Sequence, residues 1–466
     1  MKRNQQIDML NGPLFSKIVI FTIPIILSSL IQLLFNAADI IVIGRYEGKG
    51  AVSAVGSTGP LVNLCVNLFI GLSTGVGVTV AQNIGSEDKE NLNKTVHTAM
   101  ALSICAGVFL AILGPFLAED LLILMKSPTE IIGLSTKYLQ IYFLGMPALM
   151  VYNFGAAILR SAGDTKRPMY YLIISGLINV VLNIILVAFF HLSVAGVAIA
   201  TAVSQYFSAF MVTRRLVLTD EDIKLTLKDI RFHPSALAKI ALIGIPAGIQ
   251  SSVFSISNVI IQTSINSYDT YHELSSALIA GNTASGNIEG FAYVCMNAFH
   301  QTALTFSGQN LGAKKIERLN KILFICLGSV SIVGVFVGVV GFTLGKPLLK
   351  LYIPKDALAV EYGAIRLTVF SLTYFLCGIM DTINGSLRGM GCGIGPMLIS
   401  LFFCCAARIL WVLFIFSNDK DIMVLYLSYP ITWSLAIIAQ IPYYIYTRKR
   451  LGRMLKKEEK PNAISI

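Results

Sequence analysis

Apolar residues in this chain come in uninterrupted blocks about as long as a bilayer is thick, and that feature removes most folds from consideration. A helix needs roughly 20 predominantly apolar residues to cross the hydrocarbon, and 18–44, 174–190, 323–344 and 425–445 are stretches of that order. The stretches are continuous and do not alternate at every second residue, which argues against transmembrane strands. Charge agrees: 13% of the 466 residues are Asp, Glu, Lys or Arg and 55% are hydrophobic, where a soluble domain is about 25% charged. The chain reads as an all-α polytopic membrane protein.

The blocks predict twelve transmembrane helices, at 15–44, 52–83, 95–117, 132–158, 169–190, 194–217, 237–266, 275–306, 321–347, 358–387, 396–417 and 421–447. Residues 1–13 are largely polar, with Lys2 and Arg3, and the first apolar block runs far past a signal sequence, so it is expected to be retained. With Met1 in the cytoplasm, the inner loops hold Lys89, Lys94, Arg160, Lys166, Arg167, Arg214, Arg215, Lys314, Lys315 and Arg388, and the tail adds Arg448, Lys449, Arg450 and Arg453. Lys and Arg favour the cytoplasmic side, so both termini are expected there, in a plasma (inner) membrane. The +11 net charge lies mostly in these short loops and the tail. It suits anionic lipid and calls for no nucleic acid.

Enzymatic readings find little support. The five histidines are scattered without HExxH or paired metal spacing, and no Walker A motif is present. The eight cysteines fall almost entirely in apolar stretches without CxxC spacing and read as small buried hydrophobes. No cofactor or metal centre is expected.

An internal repeat organises the chain. Ala81-Gln-Asn-Ile-Gly85 recurs as Gly308-Gln-Asn-Leu-Gly312, and Leu159-Arg160 with Pro168-Met169 recurs as Leu387-Arg388 with Pro396-Met397. Pro24 and Asn36 recur as Pro246 and Asn258. Six spans per half keep equivalent helices in the same direction, a parallel repeat suited to alternating access. The boundaries expected are an N-terminal lobe at 1–212, a cytoplasmic linker at 213–239 that is partly helical around 220–229, a C-terminal lobe at 240–447 and a basic tail at 448–466.

Ionisable side chains at membrane depth are costly and mark function by default. Asp39 is the clearest, and its repeat counterpart is Ile261. Symmetric packing therefore does not demand an acid there, although a hydrogen-bonded carboxylate kept for packing is the plain alternative. A desolvated carboxyl binds and releases protons more readily near neutral pH. Asn179 and Asn183 share one helical face, and Thr201 lies mid-span. Such oxygens suit a proton relay or a small cation such as Na+, though amides also serve as plain interhelical bonds. The second half carries Glu289, Asp381 and Arg408, either as an ion pair of one acid with Arg408 or as countercharge for a cationic substrate. Pro24 breaks the first span and is a candidate hinge.

Together, Pro24…Asp39-x4-Gly44, the duplicated Gln-Asn-x-Gly loops and the Leu-Arg-x-x-Gly…Pro-Met segments resemble the multidrug and toxic compound extrusion (MATE) family over about residues 12–450, most closely its DinF-like branch. The resemblance implies two six-helix lobes in a V that export cationic or amphiphilic compounds in exchange for protons or sodium, as a monomer. It also implies that Asp39 is the cation or proton site, with Asn179, Thr201, Tyr138 and Asn153 as neighbours. Asn183 departs from that branch, standing where its members carry a second carboxylate. The stretch 246–258 departs from another branch by holding no acid. A single carboxylate favours proton coupling over sodium. The rival readings are a flippase for a lipid-linked precursor, which needs a strongly basic interior, and a membrane enzyme or receptor.

Overall fold

The computed structural model describes residues 6–125, 128–354, 356–418 and 421–458. Lys2, Arg3 and the end of the expected basic tail, 459–466, lie outside the described residues. The helices are α1 (Leu14–Tyr46), α2 (Lys49–Gly85), α3 (Lys89–Leu124), α4 (Thr129–Leu144), α5 (Met146–Ser161), α6 (Lys166–Asn183) and α7 (Ser193–Leu218). There follow α8 (Pro234–Tyr271), α9 (Ala277–Gly312), α10 (Ile316–Tyr352), α11 (Ala357–Gly389), α12 (Ile394–Ser400), α13 (Ala407–Trp411) and α14 (Ile422–Glu458). Wide π-type turns extend α6 over Ile184–Phe189 and flank α13 at Leu401–Ala406 and Val412–Phe416. The helix expected around 220–229 shrinks to one 3-10 turn at Leu227–Asp229.

Ten of these helical rods are long and apolar enough to cross a membrane, and α4 with α5, bent by 48° at Gly145, makes an eleventh. The twelfth expected span is α9, 36 residues long, whose Asn282, Ser285 and Glu289 are buried and dilute its apolar character. The outer surface is apolar, with Phe116 78% and Leu351 79% exposed. Such a surface has lipid, not water, as its natural solvent.

Two compact units emerge: Met1–Asp8 with Ile23–Gly248, and Met9–Thr22 with Ile249–Ile466. Two helices are therefore shared. α1 changes unit between Thr22 and Ile23, beside Pro24, and α8 between Gly248 and Ile249, just past Pro246. Small residues admit the shared segment in the first unit. A Cβ on Gly71 would lie 2.2 Å from the backbone nitrogen of Gly248, and one on Gly75 2.2 Å from the carbonyl oxygen of Ile240. Gly71-x3-Gly75 thus meets Gly244-x3-Gly248 at backbone contact, the small-xxx-small packing by which membrane helices associate. In the second unit the Phe21 ring meets Phe306 edge-on at 5.4 Å, the Thr22 and Thr302 hydroxyls are 2.9 Å apart, and Asn310 Nδ2 donates to the Met9 carbonyl at 3.1 Å. Gly71→Val should separate α2 from α8 and destabilise the protein by at least ~2 kcal/mol, read as a lower melting temperature in detergent.

Acidic caps close two helix ends. Asp88 accepts from Asn91 N at 3.0 Å and Asn91 Nδ2 at 2.7 Å, which holds its carboxyl below the usual range. Asp269, 4% exposed, reaches from α8 to accept from Ser276 N at 2.8 Å and Leu278 N at 2.9 Å, at the start of α9. Asp269→Ala should cost ~1–2 kcal/mol, seen as earlier amide exchange in the first turn of α9.

Candidate functional site

Asp39 owes its place to a glycine. A Cβ on Gly176 would lie 1.7 Å from the Phe35 ring, so this ring packs directly on the backbone of α6. One turn further along α1, Asp39 then faces Asn183, whose Nδ2 donates to Asp39 Oδ1. The same Nδ2 reaches Asn179 Oδ1 at 3.3 Å, Asn179 Nδ2 donates to Thr201 Oγ1 at 3.3 Å, and Thr201 closes the chain on the Val197 carbonyl at 2.9 Å. Asn183 is fully buried and its Oδ1 has no partner, although buried amide oxygens normally find one. The wide turn of α6 begins immediately after it, a backbone feature frequent at functional sites.

The first unit therefore joins four of the expected residues, Asp39, Asn183, Asn179 and Thr201, in one polar chain. Tyr138 is buried and stacked on Tyr142 at 5.8 Å, and both lie within electrostatic range of Asp39. Asn153 stands apart: its Nδ2 donates to the Leu149 carbonyl one turn back on its own helix, at 2.9 Å. Pro24 is buried inside α1.

The second unit is built from different chemistry. Ile261, the repeat mate of Asp39, is 2% exposed in an apolar cluster with Phe254 and Tyr268. Neither Glu289 nor Asp381 pairs with Arg408. Both Glu289 oxygens accept from Arg366, Nε and Nη2, at 2.7 Å each. Arg366 Nη1 also donates to Asn282 Oδ1, which accepts from Tyr426 Oη at 3.3 Å, while Asn282 Nδ2 donates to Gln262 at 3.0 Å. α11 packs along α9, so Arg366 meets Glu289 directly, whereas Arg408 is on another rod. Arg366 was legible by the rule that singled out Asp39, an ionisable residue inside an apolar block, but sequence gave no pairing for it. Arg388, expected in an open inner loop, is only 6% exposed in the last turn of α11 and donates to Gln250 at 2.8 Å. It lies within electrostatic range of Asp381, whose carbonyl accepts from the His300 ring at 2.8 Å. The interior of this unit is thus more basic than Arg408 alone suggested. Among the described residues no group of His, Cys, Asp and Glu is placed to hold a metal ion.

Comparison with known proteins gives the family. The sequence pattern of the MatE family matches twice, at residues 24–185 and 246–410, one match per half. The probable multidrug resistance proteins YoeA and YpnP of Bacillus subtilis (strain 168) are similar to the chain. YoeA is 25% identical over 94% of this chain and 95% of its own length, YpnP 26% identical over 84% and 86%. Among solved structures, a multidrug resistance MATE family transporter of the MOP superfamily, in an outward-facing conformation, superposes with a TM-score of 0.87 at 20% identity. It covers 97% of this chain and 99% of its own. With the family pattern spanning most of the sequence and the repeat and helices agreeing, this chain belongs to the MatE family of multi-pass membrane transporters.

Proposed function

We propose that this protein is a secondary active multidrug efflux antiporter of the plasma membrane, exporting small amphiphilic compounds, cationic ones among them, in exchange for protons. Both termini face the cytoplasm in this reading, as the Lys and Arg bias of the loops favours. The observation that carries it is the polar chain from Asp39 through Asn183 and Asn179 to Thr201, held inside one compact unit. It contains one carboxylate, so a single proton or monovalent cation neutralises it. The names of YoeA and YpnP support multidrug compounds as the cargo.

Asn183 supports proton coupling chemically. A charged Asp39 accepts from the amide nitrogen, and a protonated Asp39 could donate to the amide oxygen, which has no partner of its own. One amide thereby serves both states of the acid by turning over, without taking up or releasing a proton of its own. α1 carries Asp39 in one unit and begins in the other, with the change beside Pro24. A bend there moves Asp39 relative to α6, and differential affinity of bent and straight forms for proton and cargo couples their fluxes. Reconstituted vesicles loaded with ethidium should show efflux driven by an imposed pH gradient and indifferent to a sodium gradient. Efflux driven by sodium alone would replace the proton in this scheme.

Gly176→Val should displace the Phe35 ring and with it Asp39. Misplacement of a reacting group by about 1 Å costs up to ~100-fold, so gradient-driven efflux should fall at least ~10-fold while passive ethidium binding persists.

A further inference from the structure

Arg408 is the charged group that the coupling scheme leaves unused. It is 5% exposed, and its guanidinium lies 4.0 Å over the Tyr429 ring. Nη2 donates to Thr432 Oγ1 at 3.2 Å and Nε has no partner. Among the described residues no carboxylate forms an ion pair with it, in contrast to Arg366, which holds Glu289. An arginine with its face on an aromatic ring keeps its in-plane donors for a carboxylate or phosphate. Here the face is covered, and Nε, one of the edge donors, is buried without an acceptor.

The surroundings specify more. Tyr429 meets Phe370 at 4.8 Å and Trp433 at 5.8 Å, and Tyr374 meets Trp433 at 5.6 Å. Phe370 in turn lies 4.9 Å beneath the Arg366 guanidinium. Two arginines thus contact one aromatic cluster, and among the described residues the carboxylate of Glu289 pairs with Arg366 alone. α13, which carries Arg408, is flanked by wide turns on both sides, as Asn183 is on one. In the register that aligns Pro168-Met169 with Pro396-Met397, Arg408 falls opposite Val180, beside Asn179. The second unit therefore sets a cation one residue from the repeat position of Asn179, and three from that of Asn183, the amide that binds Asp39.

We infer that Arg408 is a binding residue for the acidic group of planar aromatic cargo, a carboxylate or a phosphate, with the body of the ligand against the Tyr429, Trp433 and Tyr374 rings. Tyr374 and Tyr429 keep part of their surface accessible, against which an aromatic ligand stacks while the Arg408 face stays on Tyr429. The inference widens the exporter reading above from cationic to acidic amphiphiles. It does not depend on Asp39, because it concerns equilibrium binding without a gradient.

The test is fluorescence titration of the purified full chain in detergent with flavin mononucleotide, riboflavin and fluorescein. The first two share a ring system and differ by a phosphate, and the third carries a carboxylate. Flavin mononucleotide or fluorescein, or both, should bind at least ~10-fold more tightly than riboflavin, the scale of one charge-assisted contact. Preference for only one of them would assign the phosphate or the carboxylate. Arg408→Met should bring the acidic ligand down to the riboflavin value, and Arg408→Lys should keep part of the preference. Equal affinity of the wild type for all three ligands would overturn the inference, and needs no variant to fold. So would an undiminished preference in Arg408→Met. Failure of pH-driven ethidium efflux would leave this binding result standing and strike only the coupling scheme.

Discussion

Asp39→Asn should abolish the response of ethidium efflux to a pH gradient while leaving ethidium bound. The substitution keeps the shape and a hydrogen bond to Asn183 but removes the only acid in the polar chain, so no proton or cation has a charge to neutralise. Coupling between two ligands of a transporter is typically worth 1–3 kcal/mol, or about 5–150-fold. The expected rate is that of protein-free vesicles under the same gradient, measured by fluorescence dequenching. Full gradient-driven efflux in this variant would move the coupling site elsewhere. Asn183→Asp gives the complementary result: with a second carboxylate, neutralising the site takes two protons, and the pH dependence of efflux should steepen.

The largest effect on stability is expected at Glu289. Its side chain is 9% exposed and receives two hydrogen bonds from Arg366, itself 13% exposed. Glu289→Gln leaves that guanidinium buried without a countercharge. Removing one partner of a buried pair costs about 3–5 kcal/mol, whereas replacing both by apolar groups of similar volume is often neutral. Glu289→Gln should therefore melt well below the wild type in detergent, and Glu289→Met/Arg366→Met should recover most of the loss. A double variant no more stable than the single one would show that the pair acts through the bonds of Arg366 to Asn282 and the ring faces. The ion pair also bears on cargo: with both oxygens held by Arg366, Glu289 offers no free charge to a cation.

The membrane class, the helical rods and the duplication were readable from the chain alone, because each depends on local or periodic properties. An apolar block of 20 residues has only a helix as its solution in lipid. α9 shows the limit of that rule. It packs along α11, so it carries polar residues that lipid-facing helices do without, and its apolar block is the weakest of the twelve. The exchange of the first halves of α1 and α8 between the units has no such signal. It rests on glycine contacts such as Gly71 with Gly248, and a sequence does not say which glycines meet.

Asp39 was legible for a similar reason: an acid among apolar neighbours is conspicuous wherever it packs. Asn183, Asn179 and Thr201 were readable as candidates, but the bonds that join them to Asp39 depend on how closely α1 approaches α6 at Gly176. Asn153 has the same residue type as Asn179 and a similar setting in sequence, yet its amide turns back on its own helix. Arg366, Arg388 and Arg408 mark the boundary most clearly. The sequence determined that Arg366 and Arg408 fall inside apolar blocks, while Arg388 was expected in the loop beyond one. The tertiary structure decided that one meets Glu289, one meets Gln250 and one is left on the face of Tyr429, because ion pairing depends on distances across helices that no local pattern encodes.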